Sequence, residues 1–207
     1  MRCFPMLLAA MLAAGVPSIG AEPASRPTVT VRTYNYAQIP DDSLDVARTS
    51  ADAIFDRAGI AVRWLDCRVP QNAAGASCIE PLEEGSNLML RLLDRGGGKT
   101  ATHARTVALG ESMLDREQRT GVLMTLELPF VRAIATQADA DMPLLLGRAI
   151  AHEIGHLLLG TGDHPREGLM RARWSQEELR GFRPSNWLFS PAEADQMRRS
   201  LTASPSP

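Results

Sequence analysis

Ala151-His152-Glu153-Ile154-Gly155-His156-Leu157-Leu158-Leu159-Gly160 is the stretch that decides the reading of this chain. Apolar residues run continuously on both sides of the two histidines, from Leu144-Leu145-Leu146 through Ile150 to Leu159. The spacing predicts a helix that begins near Asp141 or Met142. Pro143 suits its first turn, where a missing N–H costs nothing, and Gly160 suits its C-terminal cap. Histidines four residues apart share one face of a helix, so their imidazole nitrogens can converge on one point. Ile150, Ile154 and Leu157 are expected on the opposite side, facing a core. Glu153 is offset from His152 by roughly a quarter turn, at the edge of the histidine face.

Two imidazoles converging beside a carboxylate form the donor set of a catalytic divalent-metal site, and zinc is the metal that such nitrogen ligands favour. Further features sharpen the expectation. Three of the four histidines in the chain fall within residues 152–164. Gly155, Gly160 and Gly162 allow close approach and a sharp turn after the helix. His164 can then swing back as a third ligand to one Zn2+ ion, and Asp163 is its rival, since a carboxylate also binds zinc. The fourth histidine, His103, sits in an expected loop and is given no role.

With Gly160, His164 and Met170 following His152-Glu153-Ile154-Gly155-His156, residues 143–174 resemble the zinc site of metzincin-type metallopeptidases. The resemblance implies His152, His156 and His164 as zinc ligands, Glu153 as general base and Met170, in Gly168-Leu169-Met170, as the methionine beneath the metal. Plain core packing is the other reading of Met170. The spacing departs from the family pattern. Gly160 stands four residues after His156 and His164 four after Gly160, one more than usual on each side of the glycine. The implied activity is zinc-dependent endopeptidase hydrolysis of peptide or protein substrates. A non-catalytic metal-binding or interaction protein on a peptidase-like fold is the alternative, and the intact Glu153 argues against it. A third reading is an exported structural domain without metal. Arg171 and Arg173 flank the metal loop as candidate carboxylate or oxyanion contacts or as solvated arginines. Trp174 and Trp187 read as core or as walls of the site.

Working outward, the rest of the chain reads as scaffold. Alternating residues 28–34 predict a strand, and Leu44, Ala47, Ala51, Ile54 and Phe55 predict an amphipathic helix opened by Ser43 and stopped by Gly59. Residues 60–65 and 87–93 predict further strands, with a short one at 106–109. Residues 121–128 predict another that Pro129 ends; it is either an edge strand beside the cleft or an interior one. Ser190-Pro191-Ala192-Glu193 has the spacing of a capping box and predicts a last helix to about Leu201. The expected fold is therefore α+β and metzincin-like. A small mixed twisted sheet packs on an N-terminal helix and on the central helix with the histidines, and a C-terminal helix follows. Gly96-Gly97-Gly98-Lys99-Thr100 tempts a phosphate-loop reading, but that pattern needs glycine where Leu93 stands.

Composition bounds the rest. The chain has 207 residues, 44% hydrophobic and 22% charged, which suits one globular domain, expected over residues 28–201. A formal net charge of −2 gives no long-range attraction to nucleic acid or anionic membrane. Residues 1–21 read as a secretory signal peptide, from Arg2 through the apolar run 6–16 to small residues ending at Ala21. Its removal leaves no membrane segment, and the protein is expected in a periplasm or outside the cell. Residues 22–27 are an expected flexible lead-in and 202–207 a frayed tail. With Cys3 removed, Cys67 and Cys78 remain as an even pair in an oxidising compartment, and a disulfide closing their short loop is expected. Nothing in the sequence indicates an oligomeric state.

Overall fold

The computed structural model describes residues 26–67, 78–79, 81, 85–95, 110–115, 117, 120–181 and 183–203. The expected signal peptide, the glycine run 96–98, the strand expected at 106–109, His103 and residues 204–207 lie outside them.

β-Branched residues open the described chain as strand β1 (Thr28–Asn35), and helix α1 (Asp41–Arg57) carries it over to β2 (Ala61–Asp66). Leu44, Ala47, Ala51, Ile54 and Phe55 form the buried stripe of α1. The helix starts at Asp41, two residues before Ser43, because the chain turns at Pro40 and no side chain caps it. Gly59 takes φ +74° and ends it. β2 runs into Cys67, which is joined to Cys78 by a disulfide with Cα atoms 5.6 Å apart. Next come β3 (Asn87–Leu93), β4 (Gly110–Asp115) and β5 (Thr120–Glu127).

These strands make one mixed sheet in the order β2-β1-β3-β5-β4. All neighbours are parallel except β4 with β5, which is antiparallel. The register sets Val31 beside Leu88, Leu90 beside Met124 and Leu92 beside Leu126, so one face carries a continuous apolar layer. That face and the helices enclose the core. Among the described residues the β5 segment is thus an interior strand and β4 is the edge. β4 escapes sequence reading because its GESMLD run lacks β-branched residues.

Pro129 follows the end of the strand at Glu127, as expected, but no loop comes next. The proline occupies the first turn of an unanticipated helix, α2 (Leu128–Ala138), which follows β5 directly. Helix α3 (Met142–Leu159) comes next, then α4 (Gln176–Arg180), a 3-10 turn at Pro184–Trp187 and α5 (Pro191–Thr202). The Ser190/Glu193 capping box is present at the start of α5, and the helix includes Thr202. The architecture is the expected mixed sheet with N-terminal, central and C-terminal helices. α3 lies against β4, β5, α1, α2 and α5 together. Among the described residues, no helix is long and apolar enough to cross a membrane.

Candidate metal centre

Asp141 caps α3 by accepting a hydrogen bond from the Leu144 N–H at 2.8 Å, and Gly160 closes it in the left-handed conformation at φ +62°. Between these caps every residue from Leu145 to Leu159 is buried. The sequence reading separated a core face from a histidine face. In the folded chain both are covered, one by the core and the other by β4 and the segment after the helix. His152 is 9%, Glu153 6% and His156 5% exposed, while His164 and Asp163 are exposed.

The Nε2 atoms of His152 and His156 stand 3.0 Å apart, and those of His156 and His164 3.2 Å apart. One nitrogen from each of the three rings lies within 4.8 Å of the others. Asp163 is not in this cluster; its backbone N–H is turned to the Thr161 hydroxyl at 3.1 Å. α3 continues to Leu159, and the chain beyond Gly160 brings the Thr161 carbonyl back onto the His156 ring.

The outer nitrogens define the tautomers. Nδ1 of His152 is 3.0 Å from the Leu169 carbonyl oxygen, and Nδ1 of His156 is 2.8 Å from that of Thr161. A carbonyl only accepts, so each Nδ1 carries the proton and each Nε2 presents a lone pair. Two buried lone pairs 3.0 Å apart repel unless a cation lies between them. Nitrogens bound tetrahedrally to one zinc, each at about 2.0–2.1 Å, stand about 3.3 Å apart. The donor set and its spacing therefore fit a zinc ion. Burial pushes the His152 imidazole down to about 4, against the opposing pull of the Leu169 carbonyl, and nearby His156 and His164 add to the fall. Burial likewise lowers His156. Both rings are neutral near pH 7, as metal ligands must be.

Glu153 lies beside this cluster and under β4. Its Oε2 is 2.5 Å from the Ser112 hydroxyl, which is also 3.0 Å from the Glu153 main-chain oxygen. Burial raises the carboxyl to about 7, the Ser112 hydrogen bond works against that rise, and Glu111 adds to it. A Cβ on Gly110 would stand 2.9 Å from Glu153 Cγ, so only glycine leaves the carboxyl its place. Met170 is buried on the other flank of the histidine face. A Cβ on Gly155 would come within 2.6 Å of its sulfur and 2.7 Å of a Phe189 ring carbon.

The three histidines and Glu153 line a cleft of about 580 Å3. Its walls include Gly110, Glu111 and Ser112 of β4, Ile134 and Gln137 of α2, and Trp174. Arg171 donates from Nε to the Gly168 carbonyl at 2.9 Å and pairs through Nη1 with Glu178, so its charge clips the loop to α4. Arg173 is exposed on the rim. Sequence reasoning missed the β4 and α2 contributions. Ser112 meets Glu153 across 41 residues, and no local pattern encodes that meeting.

No family model matches the chain. No curated protein matches it in sequence. Among solved structures it is similar to archaemetzincin from Methanopyrus kandleri at 15% identity, covering 84% of this chain and 96% of that one with a TM-score of 0.49. It is also similar to a zinc-dependent peptidase from Methanocorpusculum labreanum at 14% identity, covering 81% and 99% with a TM-score of 0.47.

Proposed function

We propose that this protein is an exported zinc-dependent endopeptidase, built as one domain over residues 28–201. His152, His156 and His164 hold one zinc ion, Glu153 is the general base and Met170 forms the floor of the site. The observation that carries the reading is the convergence of three imidazole nitrogens, two of them with Nδ1 on a backbone carbonyl. Bound there, zinc supplies a Lewis acid that acidifies water and polarises a carbonyl.

The chain's own residues supply the rest. Glu153 takes a proton from the attacking water and passes it to the departing amine. Burial holds its carboxyl above the ordinary value in the metal-free site, which favours taking up a proton. Ser112 and Gly110 fix where that carboxyl stands. β4 borders the cleft and, among the described residues, is the last strand on its side of the sheet, so its outer edge can pair with an extended peptide. The near-neutral net charge supports peptide rather than nucleic acid as substrate. The disulfide supports an oxidising, exported setting.

Zinc stoichiometry of the wild type and of the three single His→Ala variants tests the site, with one ion expected in the wild type. His164→Ala is expected to weaken zinc more than Asp163→Ala. Glu153→Ala should keep zinc and lose peptide cleavage. Full zinc occupancy without cleavage of any member of a broad peptide library would replace the peptidase reading by a non-catalytic metal-binding protein.

A further inference from the structure

Leu169 offers one carbonyl oxygen to two donors. Nδ1 of His152 reaches it at 3.0 Å and the indole Nε1 of Trp174 at 3.3 Å. The Trp174 ring also stands edge-on to the His152 imidazole, with centroids 5.7 Å apart and planes at 87°. Trp174 is itself held edge-on by Trp187, at 5.1 Å and 80°. The buried Arg148 guanidinium lies 3.9 Å from the Trp187 ring centroid. Arg148 is one helical turn before His152 on α3, so the contacts return to the helix that bears the ligand. The Leu169 N–H donates to the Leu188 carbonyl at 2.9 Å, which anchors the residue that carries the shared oxygen.

A carbonyl oxygen has two lone pairs. With one taken by the indole N–H, the imidazole N–H has one direction left to approach. The indole also stands edge-on against the imidazole and opposes its rotation about the Cβ–Cγ bond, the motion that would put Cδ2 where Nδ1 now meets the Leu169 oxygen and so release the tautomer. We propose that Trp174 is a positioning residue for His152, fixing its tautomer and ring plane through the shared Leu169 oxygen. Trp187 and Arg148 hold Trp174 for that task. The inference rests on His152 being a zinc ligand, but its structural half concerns the imidazole alone and can be read without metal.

Two measurements test it on the whole protein. In the metal-free protein, long-range 1H–15N spectra of the histidines should show His152 as a single Nδ1–H tautomer. Trp174→Ala should show a mixture. In the loaded protein, Trp174→Ala should bind zinc more weakly, with the roughly tenfold to hundredfold cost of losing a direct partner of the ligand as the upper bound. It should also alter the visible absorption of the Co2+ form. Trp174→Phe keeps an aromatic ring while dropping the N–H and the smaller half of the indole, so its loss should be smaller, within about tenfold. It is also the second variant if the alanine substitution unfolds the chain. Trp64→Phe, on a distant strand, should match wild type in both measurements. A pure Nδ1–H tautomer and wild-type zinc affinity in the Trp174 variants overturn the proposal. A wild-type protein that takes up no zinc overturns the metal reading. The tautomer spectra then still decide the positioning role, a mixture in Trp174→Ala supporting it and a single form ending it.

Discussion

The Ser112 hydroxyl sits between two oxygens of the same residue, 2.5 Å from Glu153 Oε2 and 3.0 Å from the Glu153 main-chain oxygen. One hydroxyl proton cannot serve both at once. With the carboxyl protonated, Oε2–H donates to Ser112 and Ser112 donates to the main-chain oxygen. With it ionised, the hydroxyl turns to the carboxylate. Both states are satisfied without moving a heavy atom. Ser112→Ala is therefore expected to lower kcat for peptide cleavage by roughly tenfold to a hundredfold, the scale of a misplaced catalytic group, with KM and zinc content near wild type. Ser112→Thr should recover much of the loss. Steady-state kinetics with metal analysis reads both, and an unchanged kcat in Ser112→Ala removes Ser112 from the mechanism.

Gly155 lies against Met170 and Phe189 with no room for a methyl group. Gly155→Ala would set a Cβ 2.6 Å from the Met170 sulfur. Overpacking of this kind costs about 1–3 kcal/mol. A lower thermal midpoint in the metal-free protein is expected, and a midpoint equal to wild type would show that the floor yields easily.

Neither Cys67 nor Cys78 should be alkylated under denaturing, non-reducing conditions, because the two are bonded. Replacing both by serine is expected to cost about 2–3 kcal/mol in denaturant unfolding, as for other short closed loops. Alkylation of both in unreduced protein would contradict the pairing.

Glu178 gives an acid limb to stability. Partial burial pushes its carboxyl up. Hydrogen bonds from the Ser175 N–H, from Arg171 and from the Ser175 hydroxyl, with the Arg171 charge, outweigh that and hold it below 4.5. A folded-state pKa below the unfolded one stabilises the fold above the unfolded value, and the contribution is lost as pH falls through the folded value. Wild type should therefore be more stable than Glu178→Gln at pH 7, and the difference should shrink steadily below about pH 4.5. Thermal melts of the two proteins across pH 3–7 read it; a constant difference would mean that Glu178 does not act through its charge.

Much of this protein is legible in its sequence where one element carries its own signal. Asp141, Pro143 and Gly160 bracket α3, and Ser190 with Glu193 opens α5. The histidine cluster is legible for the same reason, since helical spacing alone brings His152 and His156 together. Pro129 shows the opposite case. A proline can stop a strand or start a helix with equal comfort, and here the following apolar residues of α2 pack on α3. The edge position of β4 and the Gly110 and Ser112 contacts depend on strand order, which is a long-range property. Sequence chemistry favours His164 over Asp163 because imidazole is the commoner ligand, and the 160–164 turn brings the His164 ring into the cluster.

Because α3 is enclosed along fifteen consecutive residues, Leu145 to Leu159, the rod bearing two of the imidazoles is also the central beam of the molecule. Loosening that beam would loosen the whole protein, so chemistry and rigidity are inherited together. In the proposed peptidase, variation in what the cleft accepts is then left to its outer margins, Ile134 and Gln137 of α2 and Arg173 on the rim. Anyone wishing to retune selectivity should begin there.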